Sequence, residues 1–472
     1  MRKKQQKAPV ILENLRVEDF AAEGKCLARN DGQVIFIEGE VAPGDLVDVR
    51  IYKTKSSFRE GRAVAVREYS NLRQTPRCQH FGTCGGCKWQ HVQYETQLDF
   101  KTRQVRDSLE RLAKIPHPGI RPIIGSAHEY GYRNKLEFTF STNRWYTDAE
   151  IASGETLERR AAGFHIPKRF DRILDIMQCH LQPEPSNAIR LSIKHYAEER
   201  DWAFYDLIKH EGFVRNVVIR TASTGQVMVI VQFGQPDWEK IDELMRFLQE
   251  RFPTISSLHV VVNQKVNDTF QDQDIIHIAG TPYIEESMEG LIFRVGPKSF
   301  YQTNSEQAYV LYKIARDFAQ LKGDELVYDL YTGTGTIANF VAHQARKVVG
   351  IEYVPSAVED AKINSEINGV ANTSFYAGDM KKLLKPDFFA EHGKPDVIIT
   401  DPPRAGMDAD VVEAILEAAP QRIVYVSCNP ATQARDVALM AEHYEVKAVQ
   451  PVDMFPHTHH VENVMWLEKK SV

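Results

Sequence analysis

The sequence has few cysteines and no long apolar run, and each absence excludes a class of protein. Six cysteines in 472 residues are too few for a disulfide scaffold of this size. No apolar stretch approaches the roughly 18–20 residues that span a bilayer, and the basic start of the chain is followed by no apolar signal-peptide core. We therefore expect a cytoplasmic protein without membrane association, in which closely spaced cysteines bind metal or take part in chemistry.

Negative charge exceeds positive charge only slightly, but the two are unevenly distributed. The whole chain carries 58 Lys and Arg against 64 Asp and Glu, a net charge of −6. Residues 1–114 have 21 basic and 15 acidic side chains, residues 115–322 have 24 and 27, and residues 323–472 have 13 and 22. A basic front end on an acidic body indicates a polyanion-binding module attached to an enzyme or scaffold, although a solvated charged surface would give the same counts.

The length predicts two to four domains, and the residue pattern favours three in a multidomain α/β chain. Residues 1–70 contain five short alternating runs separated by Gly and Pro, which predict a small OB-like β-barrel whose basic stretch, 50–73, faces phosphate. Residues 71–295 predict a mixed α+β domain that carries a cysteine segment and, after it, an amphipathic helix over 92–114, which could pack on the last domain. In residues 296–472, strands alternate with helices, as in a Rossmann-like doubly wound sheet.

Three cysteines stand close together between glycines in the second domain. Cys78, Cys84 and Cys87 follow a Cys-x5-Cys-x2-Cys spacing, and Cys179 is available downstream as a fourth thiolate. Four thiolates suit either zinc or an iron–sulfur cluster, and the spacing does not choose between them. The alternative is a set of unrelated buried thiols.

A glycine loop after an apolar run predicts a nucleoside site. The stretch from Asp329 to Thr336 contains Gly333 and Gly335, and Glu352 ends the next predicted strand, where a ribose-binding carboxylate belongs. This pattern fits NAD as well as S-adenosylmethionine, although the acidic Asp329 favours S-adenosylmethionine. A glycine turn that serves packing alone is the remaining alternative.

Two further strand ends carry reactive groups. Asp401-Pro402-Pro403-Arg404 follows one predicted strand, and Cys428 follows another, so both would lie at the carboxyl edge of the sheet. Taken alone, Cys428 could equally be a structural thiol. The segment 453–462 contains three histidines, but a flexible loop gives no fixed third ligand, so we do not predict a metal there.

These motifs together resemble the RNA uridine-5-methyltransferase family. The resemblance rests on Asp401-Pro402-Pro403-Arg404-x-Gly406, on residues 423–432 around Ser427-Cys428-Asn429, on Asp453-x-Phe455-Pro456-His457-Thr458-x-His460-Val461-Glu462, and on Phe300-Tyr301-Gln302-Thr303-Asn304. It implies an S-adenosylmethionine-dependent enzyme with a TRAM-like barrel and a 4Fe-4S cluster, with zinc as the less favoured metal. Because the ribosomal members of the family carry the barrel and the cluster, it also implies large-subunit (23S) ribosomal RNA as the substrate.

The resemblance assigns roles residue by residue. It implies that Cys428 adds to carbon 6 of uracil, that Glu462 removes the proton from carbon 5, and that Asp401 binds the uracil edge or organises that site. Arg133 and Lys135 are candidates for RNA phosphate contacts, or else parts of a solvated strand. The cofactor pocket is implied to contain Gln302, Tyr331, Thr336, Glu352 and Asp379; the metal is implied to be held by Cys78, Cys84, Cys87 and Cys179.

Other functions remain open at this point. The same reaction could act on transfer RNA, the chain could be a non-catalytic RNA-binding assembly factor, or the glycine loop could belong to an NAD-dependent oxidoreductase. We expect a monomer with no obligate protein partner. Cys26 has no predicted role beyond that of a buried thiol in the barrel.

Overall fold

The computed structural model describes residues 10–471. Within them the chain forms two compact units. The first consists of the residues up to Lys101 together with Phe455–His460, and the second of Thr102–Met454 together with the residues from Val461 onward. The basic residues 1–9, part of the predicted front domain, lie outside the described residues. None of the described helices is long and apolar enough to cross a membrane.

The first unit is built on one sheet. Its strands are β1 (Val10–Arg16), β2 (Asp19–Phe20), β3 (Cys26–Asn30), β4 (Gln33–Glu38), β5 (Leu46–Thr54) and β6 (Phe58–Glu68). They are ordered β1-β5-β6-β4-β3-β2, with β4 and β6 parallel. The described part of this domain thus has six strands, and the predicted five were one too few, because a two-residue strand such as β2 is too short to show alternation.

A helix leads from the first unit into the second. Helix α1 (Tyr94–Asp107) continues as a π-helical turn, Ser108–Ala113. In the second unit, Val105, Leu109 and Ile115 are buried in the same core as the strands of the carboxyl-terminal sheet. The helix predicted over 92–114 is present, but its apolar residues do not all face this core, because Phe100 belongs to a core of the first unit and Leu112 is 69% exposed.

The middle of the chain forms an eight-stranded mixed sheet. It is made of β7 (Lys135–Ser141), β8 (Arg144–Trp145), β9 (Ala161–Ile166), β10 (Arg169–Asp175), β11 (Val214–Thr221), β12 (Val227–Phe233), β13 (Ile255–Val262) and β14 (Ile276–Gly280), in the order β14-β13-β12-β11-β7-β9-β10-β8. The helices of this region are α2 (Asp148–Ser153), α3 (Ser186–Glu199) and α4 (Trp238–Arg251), and a hairpin, β15 (Ile284–Met288) and β16 (Leu291–Val295), follows. Apolar side chains of α3 and α4 share one core with Phe138, Val217 and Val229, so the helices cover one face of this sheet.

The carboxyl-terminal region is a doubly wound sheet. Its strands are β17 (Leu326–Leu330), β18 (Lys347–Glu352), β19 (Thr373–Ala377), β20 (Val397–Thr400), β21 (Arg422–Ser427), β22 (Tyr444–Val452) and β23 (Glu462–Lys469). Its helices are α5 (Ser305–Ala319), α6 (Thr336–Ala342), α7 (Pro355–Ile367), α8 (Met380–Leu383), α9 (Pro386–His392), α10 (Ala409–Ala418) and α11 (Pro430–Met440).

The strand order of this sheet places its functional edge. The order is β19-β18-β17-β20-β21-β23-β22, and all pairs are parallel except those made by β23. Starting from β17, strands β18 and β19 are added on one side and β20 and β21 on the other, so the order in which strands are added reverses between β17 and β20. Ligands of such sheets bind at the carboxyl ends of the strands beside this reversal. Every residue of β17 and β20 is buried, and all of them except Asp329 and Thr400 are apolar, as expected for strands covered on both faces.

Candidate active site

Strand register brings Asp401, Cys428 and Glu462 to one edge of the carboxyl-terminal sheet. Leu330 pairs with Thr400, and Thr400 pairs with Tyr425, so Asp401 and Cys428 follow neighbouring parallel strands. Strand β23 runs antiparallel to β21, with Ser427 opposite Asn463. Glu462, at the start of β23, therefore lies beside the end of the strand that carries Cys428.

The three side chains influence one another electrostatically. Burial raises the pKa of Cys428 to about 11, with further increases from the carboxyls of Glu462 and Asp401 and a decrease from Arg404. Burial, followed by the charge of Asp401, raises the pKa of Glu462 to about 8, and Arg404 again lowers it. Burial raises the pKa of Asp401 to about 7. The edge thus holds a thiol next to two carboxyls that titrate near neutral pH, which is typical of proton-transfer sites.

The loop that carries Asp401 and Arg404 is fastened to helix α11. Asn429 Nδ2 and Thr432 Oγ1 donate to the carbonyl oxygen of Arg404 at 3.0 and 3.2 Å. The carboxylate of Asp436 accepts from the main-chain N–H of Met407 and from the hydroxyl of Tyr425, both at 2.7 Å. The helix that begins after Cys428 therefore also fixes the position of the Asp401 loop.

An amide pair holds the strand that carries Glu462. Asn463 Nδ2 donates to Gln433 Oε1 at 2.7 Å, and Gln433 Nε2 donates to the carbonyl oxygens of Tyr425 and Asn463 at 2.8 and 3.1 Å. Sequence reasoning missed Gln433 and also Asp436. Both share the buried side of α11 with Ala434, Val437 and Met440, but no local pattern shows which loop or strand they contact.

The glycine loop after β17 is organised by Asp329. One oxygen of this buried carboxyl accepts hydrogen bonds from the Thr332 hydroxyl and from the N–H of Ala338, while the other oxygen, Oδ1, is buried without a partner. Tyr331 and Gly333 have positive φ values of 62° and 55°, and a Cβ added at Gly333 would meet nothing within 4 Å. The loop therefore exposes a stretch of main chain to open space at the reversal of the sheet, as a nucleoside cradle requires.

The other predicted cofactor residues surround this loop. Glu352 accepts from the N–H of Gly333 at 3.1 Å and from that of Val354 at 2.9 Å. Thr336 is buried at the first position of α6. Asp379 caps α8 through the N–H of Lys381 at 3.1 Å. Burial raises the pKa of the Tyr331 phenol to about 12, with contributions from Asp379 and Glu352 among other carboxylates.

Gln302 lies in a segment held by the middle domain. Asn134 Nδ2 donates to the Gln302 carbonyl oxygen at 2.8 Å, and the N–H of Asn134 donates to the Thr303 carbonyl oxygen at 2.8 Å. The Gln302 side chain hydrogen-bonds to the hydroxyl of Tyr312, whose pKa is raised by burial and by the nearby Asp401. Sequence reasoning missed Tyr312, which has the spacing of an ordinary core residue of α5.

The candidates for phosphate contacts, Arg133 and Lys135, are both partly buried. Lys135 lies in β7, where burial and the charge of Arg220 lower its pKa. Partial burial does not decide between an RNA phosphate contact and a solvated strand, so both interpretations of Arg133 and Lys135 stay predictions.

The cysteine segment does not form a metal site in this structure. The six cysteines all lie within the described residues, and none forms a disulfide. Among residues 10–471, no group of three or more His, Cys, Asp or Glu side chains is arranged to hold a metal ion. The arrangement of the described side chains therefore does not support the predicted iron–sulfur site. Cys26 is buried, as predicted, and its thiol donates to the carbonyl oxygen of Val41 at 3.2 Å.

The histidine segment is anchored within the first unit. The N–H of His457 donates to Gln97 Oε1 at 2.9 Å, and its carbonyl oxygen accepts from the N–H groups of Lys88 and Trp89 at 2.7 and 3.0 Å. Burial lowers the pKa of His457 to about 4, so this imidazole is neutral at physiological pH. It serves as a folding contact of the first unit.

A doubly wound sheet with a glycine loop at its reversal and a cysteine among carboxyls at its edge defines a nucleoside-binding enzyme with a candidate nucleophile. The family model described as tRNA (Uracil-5-)-methyltransferase matches residues 272–470, and that of the TRAM domain matches residues 13–64. A protein of Bacteroides thetaiotaomicron named as an uncharacterized RNA methyltransferase is 57% identical, over 95% of this chain and 100% of its own. One of Porphyromonas gingivalis with the same name is 54% identical, over 97% and 100%.

The chain therefore belongs to the RNA uracil-5-methyltransferase family whose members carry a TRAM domain. A solved structure, that of the Pyrococcus abyssi tRNA (uracil-54, C5)-methyltransferase in complex with S-adenosyl-L-homocysteine, has a TM-score of 0.74 at 26% identity and covers 97% of this chain and 100% of its own. The predicted family, the amino-terminal TRAM domain and the carboxyl-terminal methyltransferase fold are confirmed. Family membership also decides between the two cofactor classes in favour of methyl transfer over hydride transfer.

Proposed function

We propose that the protein transfers a methyl group from S-adenosylmethionine to carbon 5 of a uridine in RNA through a covalent adduct with Cys428. The observation that carries the proposal is the juxtaposition, by strand register, of Cys428 with Glu462 and Asp401. Carbon 5 of uracil is a weak nucleophile, and a thiolate that adds to carbon 6 makes it an enolate carbon able to attack an electrophilic methyl group.

The loop after β17 suits this methyl donor. The open space at Gly333 and the buried, unpartnered Asp329 Oδ1 provide main-chain and carboxyl contacts for a nucleoside. Glu352 follows the neighbouring strand, where a ribose hydroxyl would be bound. When bound, S-adenosylmethionine supplies the electrophilic methyl group, and the carboxyl-rich surroundings favour its positive charge.

The chain's own residues account for the remaining steps. The Cys428 thiol releases its proton to solvent water and its thiolate, favoured by the cation Arg404, adds to carbon 6 while the electron pair of the C5–C6 double bond moves into the enolate. After methylation, Glu462 in its carboxylate form takes the proton from carbon 5, the bond between Cys428 and carbon 6 breaks, and the thiolate is restored. A pKa of about 8 suits Glu462 for this role near neutral pH. Asp401, with a pKa of about 7, can accept a hydrogen bond from uracil N3–H or, when protonated, donate one to a carbonyl oxygen.

Large-subunit ribosomal RNA is the substrate that we propose, because the cysteine segment resembles that of the ribosomal members. One observation favours transfer RNA instead. The Pyrococcus abyssi enzyme, a tRNA (uracil-54, C5)-methyltransferase, matches this chain over almost its full length, so a front domain does not by itself separate the two substrate classes.

The two substrates can be separated by a single assay. Purified protein is incubated with tritiated S-adenosylmethionine and either unmodified 23S ribosomal RNA or unmodified transfer RNA, and 5-methyluridine is mapped in each product. We expect label in ribosomal RNA. Label in transfer RNA alone would replace the substrate, and no label in either would favour the non-catalytic assembly factor.

The iron–sulfur cluster remains a prediction. Its support is the spacing of Cys78, Cys84 and Cys87 together with the main-chain N–H groups of His80 and Phe81, which hydrogen-bond to the Cys78 sulfur and lower its pKa against the larger effect of burial. Hydrogen bonds to sulfur are typical of iron–sulfur sites. Anaerobically purified protein with a broad absorption in the violet-to-blue range would support the cluster. Colourless protein with bound zinc would replace it.

A further inference from the structure

A cavity of about 710 Å³ lies in the middle domain, away from the carboxyl-terminal sheet. Its floor includes Thr139 of β7 and Asn216 of β11, and its walls include the β9–β10 turn and the loop around Asn267. Phe138 and Val217, the neighbours of these floor residues along the strands, belong to the core beneath α3 and α4. Because side chains alternate across a sheet, the cavity lies on the face that these helices leave uncovered.

The floor is a chain of hydrogen-bonded polar groups that ends in an unmatched acceptor. Asn216 Nδ2 donates to Thr139 Oγ1 at 3.0 Å, and Thr139 Oγ1 lies 3.3 Å from His165 Nε2. His165 Nδ1 lies 2.7 Å from the carbonyl oxygen of Phe170. Asn216 is 1% exposed, and its Oδ1 has no partner. Buried amide oxygens are rarely left without a donor, so this floor is more polar than packing alone requires.

One wall carries a buried positive charge. Arg215 Nη1 donates to the carbonyl oxygens of Asn263 and Lys265 at 2.6 and 2.7 Å, and Nη2 donates to those of Val266 and Asn267 at 3.2 and 2.6 Å. These acceptors are neutral main-chain groups, so they fix the guanidinium without cancelling its charge. Burial lowers the pKa of Arg215, and the negative charge of Asp268 acts in the opposite direction.

The rim adds an aromatic ring and further cations. Phe170 is 75% exposed, although it is a large apolar side chain. It stands next to Lys168 and Arg169 at the β9–β10 turn, and His210 also lines the cavity. Arg169 is paired with Asp171 at 3.1 Å, but its side chain remains half exposed. An exposed ring among cations is the arrangement that binds single-stranded nucleic acid, by base stacking and phosphate contacts.

We propose that this cavity binds a nucleotide of single-stranded RNA, with its base against Phe170 and its phosphate toward Lys168, Arg169 and Arg215. The proposal rests on the proposed function in taking RNA as the substrate class. The cavity volume lies in the range of small-ligand pockets, so it fits one or two unpaired nucleotides rather than a duplex. An RNA segment held here would be a second contact of the substrate, outside the sheet edge where the methyl group is transferred.

The test uses the full-length protein and a fluorescently labelled single-stranded RNA of about 15 nucleotides. We expect Phe170→Ala to weaken binding by about fivefold or more and Phe170→Tyr to bind as the wild type does. Arg169→Glu should weaken binding and reduce the slope of log affinity against log salt by about one. Arg246→Glu on α4, the same charge change on the helix-covered side of the sheet, is the matched control.

Three outcomes would overturn the proposal. The first is wild-type RNA affinity in both Phe170→Ala and Arg169→Glu, and the second is a loss of affinity in Arg246→Glu as large as that in Arg169→Glu. The third is a duplex RNA of the same length that competes for the protein as well as the single strand does. In methylation assays, Phe170→Ala and Arg169→Glu should raise KM for RNA and leave kcat unchanged. If the wild type methylates no RNA, the proposed function fails, but the binding of the oligonucleotide still shows whether the cavity binds single-stranded RNA.

Discussion

The two large sheets of the second unit place their charged side chains in opposite ways. The edge of the carboxyl-terminal sheet gathers carboxyls around a thiol, and burial raises the pKa of each group. Glu462 and Asp401 raise the pKa of Cys428 further, and Asp401 raises that of Glu462 further. The uncovered face of the middle sheet gathers cations around an aromatic ring. The first arrangement suits a sulfonium donor and proton transfer but repels phosphate, whereas the second attracts phosphate and has no cysteine among its lining residues. Substitutions at the edge of the carboxyl-terminal sheet are therefore expected to lower methyl transfer without changing RNA affinity, and substitutions on the middle sheet to do the reverse.

The largest expected effect is that of Cys428→Ala. Removing a nucleophile commonly lowers turnover by four orders of magnitude or more, so we expect no adduct with 5-fluorouridine-containing RNA and no methyl transfer. The affinity for RNA should stay within about twofold of the wild type, because phosphate contacts, which supply most of RNA affinity, lie elsewhere. Gel analysis of the adduct and equilibrium binding measure the two properties separately.

The matched control for this variant is Cys26→Ala, which removes a buried thiol of the first unit. It should form the adduct at the wild-type rate. Adduct formation by Cys428→Ala would refute the mechanism, and a parallel loss of RNA affinity would break the separation of the two sheets.

Glu462→Gln is expected to have the next largest effect. A general base contributes about 10²- to 10⁴-fold to a rate, and without it the cysteine cannot be eliminated after methylation. We expect the methylated covalent adduct to accumulate with ordinary RNA, as a species of reduced mobility that carries tritium. Glu445→Gln, an exposed carboxylate of β22 paired with Lys447, should turn over normally. Normal turnover by Glu462→Gln would remove it as the base.

Asp436→Asn should have a smaller effect that reaches the site through the Asp401 loop. The Met407 N–H and the Tyr425 hydroxyl both donate to Asp436 Oδ2, and Arg435 Nε donates to Oδ1 at 2.8 Å. An amide keeps only one accepting oxygen, so it loses either the contacts with Met407 and Tyr425 or the contact with Arg435. Losing a buried hydrogen bond of this kind costs about 1–3 kcal/mol of stability, which thermal unfolding would show. We expect kcat to fall with little change in RNA affinity. Asp410→Asn, on an exposed part of α10, is the control, and an unchanged kcat in Asp436→Asn would remove the loop contact from the mechanism.

The sequence predicted the catalytic edge better than its supports. Asp401 and Cys428 could be placed because each follows a short apolar run, and parallel strands end at one edge. Asp436 and Gln433 could not be found, because their roles depend on which loop packs against α11. The groove in the middle domain was missed for the same reason: Thr139, His165 and Asn216 come from three strands whose pairing no local pattern reveals. The cysteines were predicted to form one metal site from their spacing in a loop. Spacing in a loop, unlike the register of paired strands, does not fix where side chains meet.

The smallest expected effect concerns the ionisation of Cys428. It tests whether the charged groups at the edge of the carboxyl-terminal sheet control this thiol independently of the middle sheet. The thiolate is the form that iodoacetamide alkylates. Because the pKa of Cys428 is raised to about 11, alkylation of its peptide, followed by mass spectrometry in protein without RNA, should still increase with pH between about 8 and 10. Glu462→Gln removes a carboxylate that opposes ionisation and should shift the profile to lower pH, whereas Arg404→Gln removes the favourable cation and should shift it to higher pH. Arg169→Glu, in the groove of the middle sheet, should leave the profile unchanged. A plateau near pH 9 in the wild type would show that burial and the edge carboxyls do not raise the pKa of this thiol. A shift in the Arg169→Glu protein would show that charges outside the edge also set its reactivity.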